Sequence, residues 1–325
     1  MKIETRITRL LGIDLPICQA GMSWASSNAA LPLAVARAGG LGVLAAGPMY
    51  LDALEQAIDE IRAGTDRPFA VNLPLYNKRA GEMMDLLEAK RVPILVCSQG
   101  GPKKYLHRFK AIGTRCLHVV AGEEHAVKAM EAGVDGLVVV GGEAGGHPPP
   151  SQVSTLVLVR AVAQATGGRI PLIASGGFAD GRGLLAALSL GADAANFGTR
   201  FIATPEAGVS EGYKRAVLNA GVADTTCVGR ELGMIRAIRN PFTERMSELE
   251  TEGASIDARR SAFGSATLKM AALDGDMAWG KLEAGQSVGL VRAVMPAGDV
   301  VKQIALEYRA AHLELPVPLG VSESR

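Results

Sequence analysis

The segment IPLIASGGFADGRGLLAALSLGADAANFGTRF, residues 170–201, carries one complete structural unit. IPLIASGG (170–177) is an apolar run that ends in paired glycines. Arg182–Leu190 then has helical periodicity, and Gly191 sits just past its last turn, where glycine accepts the left-handed backbone that stops a helix. DAANFGTRF (193–201) begins the next strand. The runs are apolar throughout rather than alternating, as expected of parallel strands covered on both faces.

The same unit repeats backwards along the chain. Strand-like runs occur at PICQAG (16–21), LGVLAA (41–46), PFAVNL (68–73), VPILVCSQG (92–100), TRCLHVVAG (114–122) and DGLVVVGG (135–142). Between them Leu51–Ala63, Ala80–Lys90, Glu124–Ala132 and Thr155–Ala165 have helical periodicity, and ARAGGLG (36–42) and MEAGVDG (130–136) repeat the glycine stop. Eight strands, each followed by a helix or loop, predict an α/β fold closed as a (β/α)8 TIM barrel with an added helical domain. A doubly wound open sheet is the alternative. The barrel is expected over 1–205. An Arg- and Glu-rich helical insertion without strands, capping the barrel mouth, is expected over 206–284, and C-terminal helices return to the barrel over 285–325.

Composition narrows the function classes. A net charge of +1 gives no electrostatic case for nucleic acid or an anionic membrane surface. No apolar run approaches the roughly 18 residues of a membrane helix, and the charged N-terminus MKIETRITRLLGID does not read as a signal peptide. Cys18, Cys97, Cys116 and Cys227 form no CxxC pair, which fits a reducing cytoplasm and buried thiols. The five histidines show no HxxxH or HxH spacing, so no metal site is expected. The expected partner is a small-molecule substrate, with homodimerisation open.

In such barrels the chemistry lies at the C-terminal strand ends. Those positions hold Gln19, Gly21 and Met22, then Asn72, then Ser98 and Gln99. Gly141 to His147, Ser175 to Gly177 and Gly198 to Arg200 follow. Glycines on the two adjacent ends, Gly176 and Gly177 beside Gly198 and Thr199, free backbone N–H groups for an anion, as phosphate sites require. Gly21, Met22, Asn72, Gln99 and Gly142 form a small polar floor for a flat ring, whose edge Asn72 and Gln99 can hydrogen-bond. No GxGxxG follows the first strand and no GxxxxGK[ST] loop is present, so phosphorylated FMN fits better than a dinucleotide bound on a Rossmann fold. His147 would face this ring from GGEAGGHPPP (141–150), whose prolines restrict the loop's exit. His118, inside CLHVV, reads as a structural histidine, and His107, His125 and His312 as solvated ones.

PICQAGMSW (16–24), GVDGLVVVGGEAGGHPPP (133–150), the 170–201 segment and AGQSVGL (284–290) together resemble the nitronate monooxygenase family, formerly 2-nitropropane dioxygenases, over nearly the whole chain. Its superfamily includes FMN-dependent NADH:quinone reductases and enoyl-acyl-carrier-protein reductases. The resemblance implies non-covalent FMN with its phosphate on Gly176, Gly177, Gly198 and Thr199, near Ser175, and its ring near Gly21, Met22 and Asn72. It places the family's active-site histidine on His147, next to Gly146. There that histidine takes the Cα proton of a nitroalkane. The resulting nitronate reduces the flavin, oxygen reoxidises it, and a carbonyl product and nitrite result. Pro148 stands where relatives often have glycine, and Val119 where some quinone reductases have lysine; both departures lie on the substrate side. An FMN reductase drawing on NADH or NADPH and acting on a quinone or enoyl-thioester is therefore the alternative. A flavin-free phosphate-binding isomerase or lyase is a remote one.

Overall fold

The computed structural model describes residues 1–316. Its barrel strands are β1 (Ile17–Gln19), β2 (Val43–Ala45), β3 (Ala70–Pro74), β4 (Ile94–Ser98), β5 (Arg115–Val120), β6 (Gly136–Val140), β7 (Leu172–Ser175) and β8 (Ala194–Phe197). Consecutive strands from β2 to β8 pair in parallel, and β8 pairs with β1. The remaining seam is closed by a parallel bridge between Cys18 and Leu41. The Gln19 side chain extends that seam, its Oε1 accepting from Val43 N at 2.9 Å and its Nε2 donating to Val43 O at 3.2 Å. Sequential order with closure rules out the doubly wound alternative. It also reassigns Gln19, whose amide is committed to the barrel wall rather than to a ligand.

Helix α1 (Arg6–Leu11) precedes the barrel, and α2 (Ala30–Arg37), α3 (Leu51–Gly64), α4 (Ala80–Ala89), α5 (Lys103–Ala111), α6 (Glu123–Ala132), α7 (Thr155–Ala165) and α8 (Gly181–Ser189) wrap it. Each strand sends a small or branched side chain into the axis, Cys18, Val43, Ala70, Ile94, Leu117, Val138, Ile173 and Ala194, all buried. Ile7 and Leu11 of α1 join this cluster and plug its N-terminal end. Arg6 fixes the plug by a two-point contact to Asp193, both arms at 2.7 Å, and Asp193 also accepts from Leu172 N at 2.9 Å. With the axis filled, the barrel's own cavity lies at its C-terminal mouth.

Beyond the barrel come α9 (Thr199–Ile202), α10 (Glu211–Asn219), the strands β9 (Thr225–Val228) and β10 (Ile235–Ile238), α11 (Pro241–Thr251), α12 (Ile256–Ser265), α13 (Leu268–Ala272) and, after a 3-10 turn at Gln286–Leu290, α14 (Ala297–Leu313). The insertion is thus not purely helical, because β9 and β10 form an antiparallel hairpin inside 206–284. Its strands are only four residues long and set among charged residues, so helical periodicity around them dominates the local pattern. Val228, Ile235 and Ala237 bury a small core of their own with Phe242 and Met246 of α11. Helix α14 packs on α8 and caps it, Glu307 accepting from Gly181 N at 2.9 Å. Residues 317–325 of the expected C-terminal segment lie outside the described residues. Among the described residues no helix is long and apolar enough to cross a membrane.

Replacing Gln19 with leucine removes two buried hydrogen bonds and leaves the Val43 amide group unpaired. The expected loss is about 1–3 kcal/mol of stability by chemical denaturation, and an unchanged midpoint would show that the seam closes without it.

Candidate active site

A cavity of about 1240 Å³ opens at the barrel mouth. That exceeds the roughly 300–1,000 Å³ usual for a small-molecule site, so a flat cofactor and a substrate fit together. The eight strand ends form its floor, and Gly233, Met234, Leu268 and Lys269 of the insertion line its rim.

The ends of β7 and β8 bring Gly176, Gly177, Gly198 and Thr199 together as a cradle of backbone N–H groups on one wall of the cavity. Gly176 (φ +107°) and Gly177 (φ +85°) take left-handed conformations that side chains resist. A Cβ on Gly176 would come within 2.9 Å of Thr155 Oγ1. Among the described residues the N–H groups of Gly176, Gly177, Gly198 and Thr199 have no backbone acceptor outside regular elements, and all four residues line the cavity. The N-terminus of α8 does not take part, because Asp180 already accepts from Gly183 N at 2.8 Å and Glu307 from Gly181 N. The cradle therefore rests on the loop N–H groups of Gly176 and Gly177 and on those of Gly198 and Thr199 at the start of α9, which suit an anion. Ser175 lines the same wall, its Oγ accepting from Asn196 Nδ2 at 3.1 Å, while Thr199 Oγ1 accepts from Gly285 N at 2.9 Å.

Next to the cradle, at the end of β1, Gly21 and Met22 line the floor with Asn72 of β3, and Met22 Sδ stands 3.7 Å from where a Cβ on Gly198 would lie. A Cβ on Gly21 would stand 2.7 Å from Asn72 Cβ, so glycine there admits the asparagine. Asn72 Nδ2 donates to Val96 O at 3.1 Å, which fixes the amide and leaves its Oδ1 free to accept. Gln99 lines the rim in a left-handed conformation (φ +55°), a strained backbone of the kind found at ligand sites. Gly142, expected on the floor, is not among the lining residues. It is buried behind the wall, its carbonyl accepting from Arg236 Nη2 at 2.9 Å and Nε at 3.2 Å.

His147 lines the cavity from the loop after β6, beside Gly146 (φ +68°). Pro148 and Pro149 are buried, and Pro149 O accepts from Gln152 N at 2.9 Å, so the loop's exit is a braced turn. The imidazole is open to the cavity, yet protein surrounds enough of it that lost hydration, and then the nearby Lys281 cation, hold its pKa below the ordinary histidine value. His118 is buried, its Nδ1 2.9 Å from the Tyr105 hydroxyl, and it too is among the residues that line the cavity. His107 and His312 are exposed; His125 is exposed too but reaches the cavity rim.

Sequence reasoning missed how the late AGQ segment reaches this site. Strand β10 holds two chains on one edge. Gly146 exchanges both backbone bonds with Arg236, at 3.2 and 2.7 Å, and Ile238 N donates to Leu282 O at 2.8 Å, with Ala237 bridged to Glu283. Glu283 and Tyr213 both line the cavity, and the Tyr213 hydroxyl donates to Glu283 O at 2.7 Å. Burial pushes the Glu283 carboxyl up to about 7, with Lys281 opposing the shift. The only signal in the sequence was two charges flanking Leu282 in an otherwise apolar segment.

With this geometry in place, comparison with known proteins is specific. The sequence profile of nitronate monooxygenase matches residues 4–90 and 76–307. A nitronate monooxygenase of Paraburkholderia phytofirmans is 32% identical, over 92% of this chain and 94% of its own. The (3aS,4S,5R,7aS)-5-hydroxy-7a-methyl-1-oxo-octahydro-1H-indene-4-carboxyl-CoA dehydrogenase of Mycobacterium tuberculosis is 39% identical, over 76% of this chain and 69% of its own. FabK from Thermotoga maritima superimposes with a TM-score of 0.90 at 37% identity, over 96% of this chain and 98% of that one. The TIM barrel with its N–H cradle, floor and loop histidine is therefore that of a flavin-dependent oxidoreductase, and the chain belongs to the nitronate monooxygenase family.

Proposed function

We propose that this chain binds FMN non-covalently and oxidises nitroalkanes and their nitronates with oxygen. The observation that carries the reading is that a histidine whose neutral form is favoured by lost hydration lines the same cavity as the backbone N–H groups of Gly176, Gly177, Gly198 and Thr199. Gly176, Gly177, Gly198 and Thr199 would hold the phosphate, and Asn72 Oδ1 would accept from the ring's polar edge. Bound there, FMN supplies an electron acceptor that oxygen can regenerate. His147 contributes the proton step: a neutral imidazole can take the Cα proton of a nitroalkane, leaving the electron pair on the substrate.

Dehydrogenation of a coenzyme A thioester is a second reading, favoured by the name of the 39%-identical Mycobacterium relative. It uses the same first step, proton loss beside an electron-withdrawing group. Oxygen uptake with nitroethane and no added nicotinamide supports the first reading. Flavin reduction by a thioester or by NADH or NADPH alone, without that uptake, overturns it.

His147→Ala is expected to keep FMN bound and to lower kcat/KM for neutral nitroethane at least about 100-fold, within the range of general-base effects, while sparing ethyl nitronate. Equal losses on both substrates would remove the proton role. Gly176→Ala forces a side chain into a left-handed site against Thr155, a strain of about 1–3 kcal/mol. Its FMN affinity, read by flavin fluorescence, is expected to fall roughly tenfold or more.

A further inference from the structure

The loop that carries His147 is gripped near its start and near its histidine by one residue. Arg236 of β10 pairs with Gly146 through its backbone, its N donating to Gly146 O at 2.7 Å and its O accepting from Gly146 N at 3.2 Å. Its side chain turns back to the start of the same loop, where Nη2 and Nε both donate to Gly142 O, at 2.9 and 3.2 Å. The remaining arm, Nη1, donates to Thr225 Oγ1 at 3.3 Å, so the neighbouring strand β9 sets the plane of the fork.

Arg236 is buried, and all three of its hydrogen-bonding side-chain nitrogens meet neutral oxygens. A buried cation with neutral partners gives up hydration without a counter-charge to offset the loss. An apolar chain of similar length would fill the space without that cost, so packing alone does not account for an arginine here. What the guanidinium supplies is a planar fork that sets two donors on one carbonyl and a third on the hairpin. Other contacts tie the loop's beginning to the barrel side: Gly141 N donates to Ser175 O at 2.9 Å, and the Glu143 carboxylate accepts from Thr155 Oγ1 at 2.7 Å. Nearer His147, the Gly146 backbone is held by β10.

We infer that Arg236 is the positioning residue for His147, setting from the insertion hairpin where the imidazole stands in the cavity. This rests on the reading of His147 as the group that takes the substrate proton, and adds what aims it. Arg236 itself is not among the cavity-lining residues, so it acts through the loop and not on the substrate. Misplacing a reacting group by about 1 Å costs on the order of 100-fold in rate. A fork on Gly142 and a backbone pair on Gly146 limit such drift from both directions, whereas the backbone pair alone would leave the loop free to pivot about Gly146.

The test uses the FMN-loaded protein, its histidine rings labelled with carbon-13 and read by NMR. Of the five histidines, His147 is identified by the signal that disappears in His147→Ala. Arg236→Met keeps the backbone bonds and much of the side chain's length but removes every side-chain donor. It is expected to shift or split the His147 signal while the other four hold still. Amides of residues 141–147 are expected to exchange with solvent roughly tenfold faster or more, with those of β4 and β5 unchanged. In turnover, kcat/KM for nitroethane is expected to fall at least about tenfold further than that for ethyl nitronate. Arg236→Lys keeps the charge and is expected to show the same pattern at smaller amplitude; it carries the test if the methionine variant does not fold. An unmoved His147 signal in the folded variant overturns the inference. So does a change spread evenly over all five histidines, which would make Arg236 a part of the general packing. The ring signals are read without turnover, so a wild-type protein that does not oxidise nitroethane counts against the proposed activity alone.

Discussion

Everything at the mouth of this barrel depends on the filling of its axis. Eight side chains, one from each strand, and two from α1 leave no passage through the middle. Close packing of this kind transmits position faithfully, so the eight strand ends are a rigid ring on which loops of very different character are mounted. The two-point Arg6–Asp193 contact ties the plug to the start of β8, and Asp193 in turn holds the start of β7. The same two strands carry the N–H cradle at their other ends. A constraint at the bottom of the barrel therefore fixes the strands that present the N–H cradle at the top.

The second constraint is the edge of β10. It joins three pieces of chain that are remote in sequence: the loop after β6, the insertion hairpin and the segment before the 3-10 turn. Glycine makes the contact possible, since a Cβ on Gly145 would come within 2.5 Å of Ala284 C and Gly285 N. Gln286 N then donates to Glu143 O at 3.0 Å, and Gly285 N to Thr199 Oγ1. His147 is consequently not on a free loop. It is stitched to the cap on one side and braced by two buried prolines on the other, which is the preorganisation that proton transfer at a fixed atom requires.

The barrel was legible because its signal is repeated and local. Apolar runs recur eight times, three of the segments between them end on a glycine stop, and Thr155–Ala165 forms a helix with those bounds. The end of β7 was legible because left-handed backbone favours glycine, and the paired Gly176 and Gly177 are visible as letters, as is Gly198 on the neighbouring strand end. The hairpin was not, because four-residue strands between charged neighbours have too little period to read. Gly142 was misplaced because a strand-end glycine does not say which side of the wall it faces. Gln19 looked like a ligand residue because an amide at a strand end reads the same whether it meets a substrate or closes a seam. Glu283 was invisible for a different reason: its meaning arises only from pairing with β10, about 45 residues upstream, and periodicity carries no information about such a contact.

The account stands on the cavity being a flavin site assembled by loop N–H groups at the ends of β7 and β8. The absorbance spectrum of the purified protein tests it most directly. The account predicts the two oxidised-flavin bands, with FMN released intact on denaturation and restored to the apoprotein on its addition. A protein that shows no such bands even after FMN is supplied would contradict it.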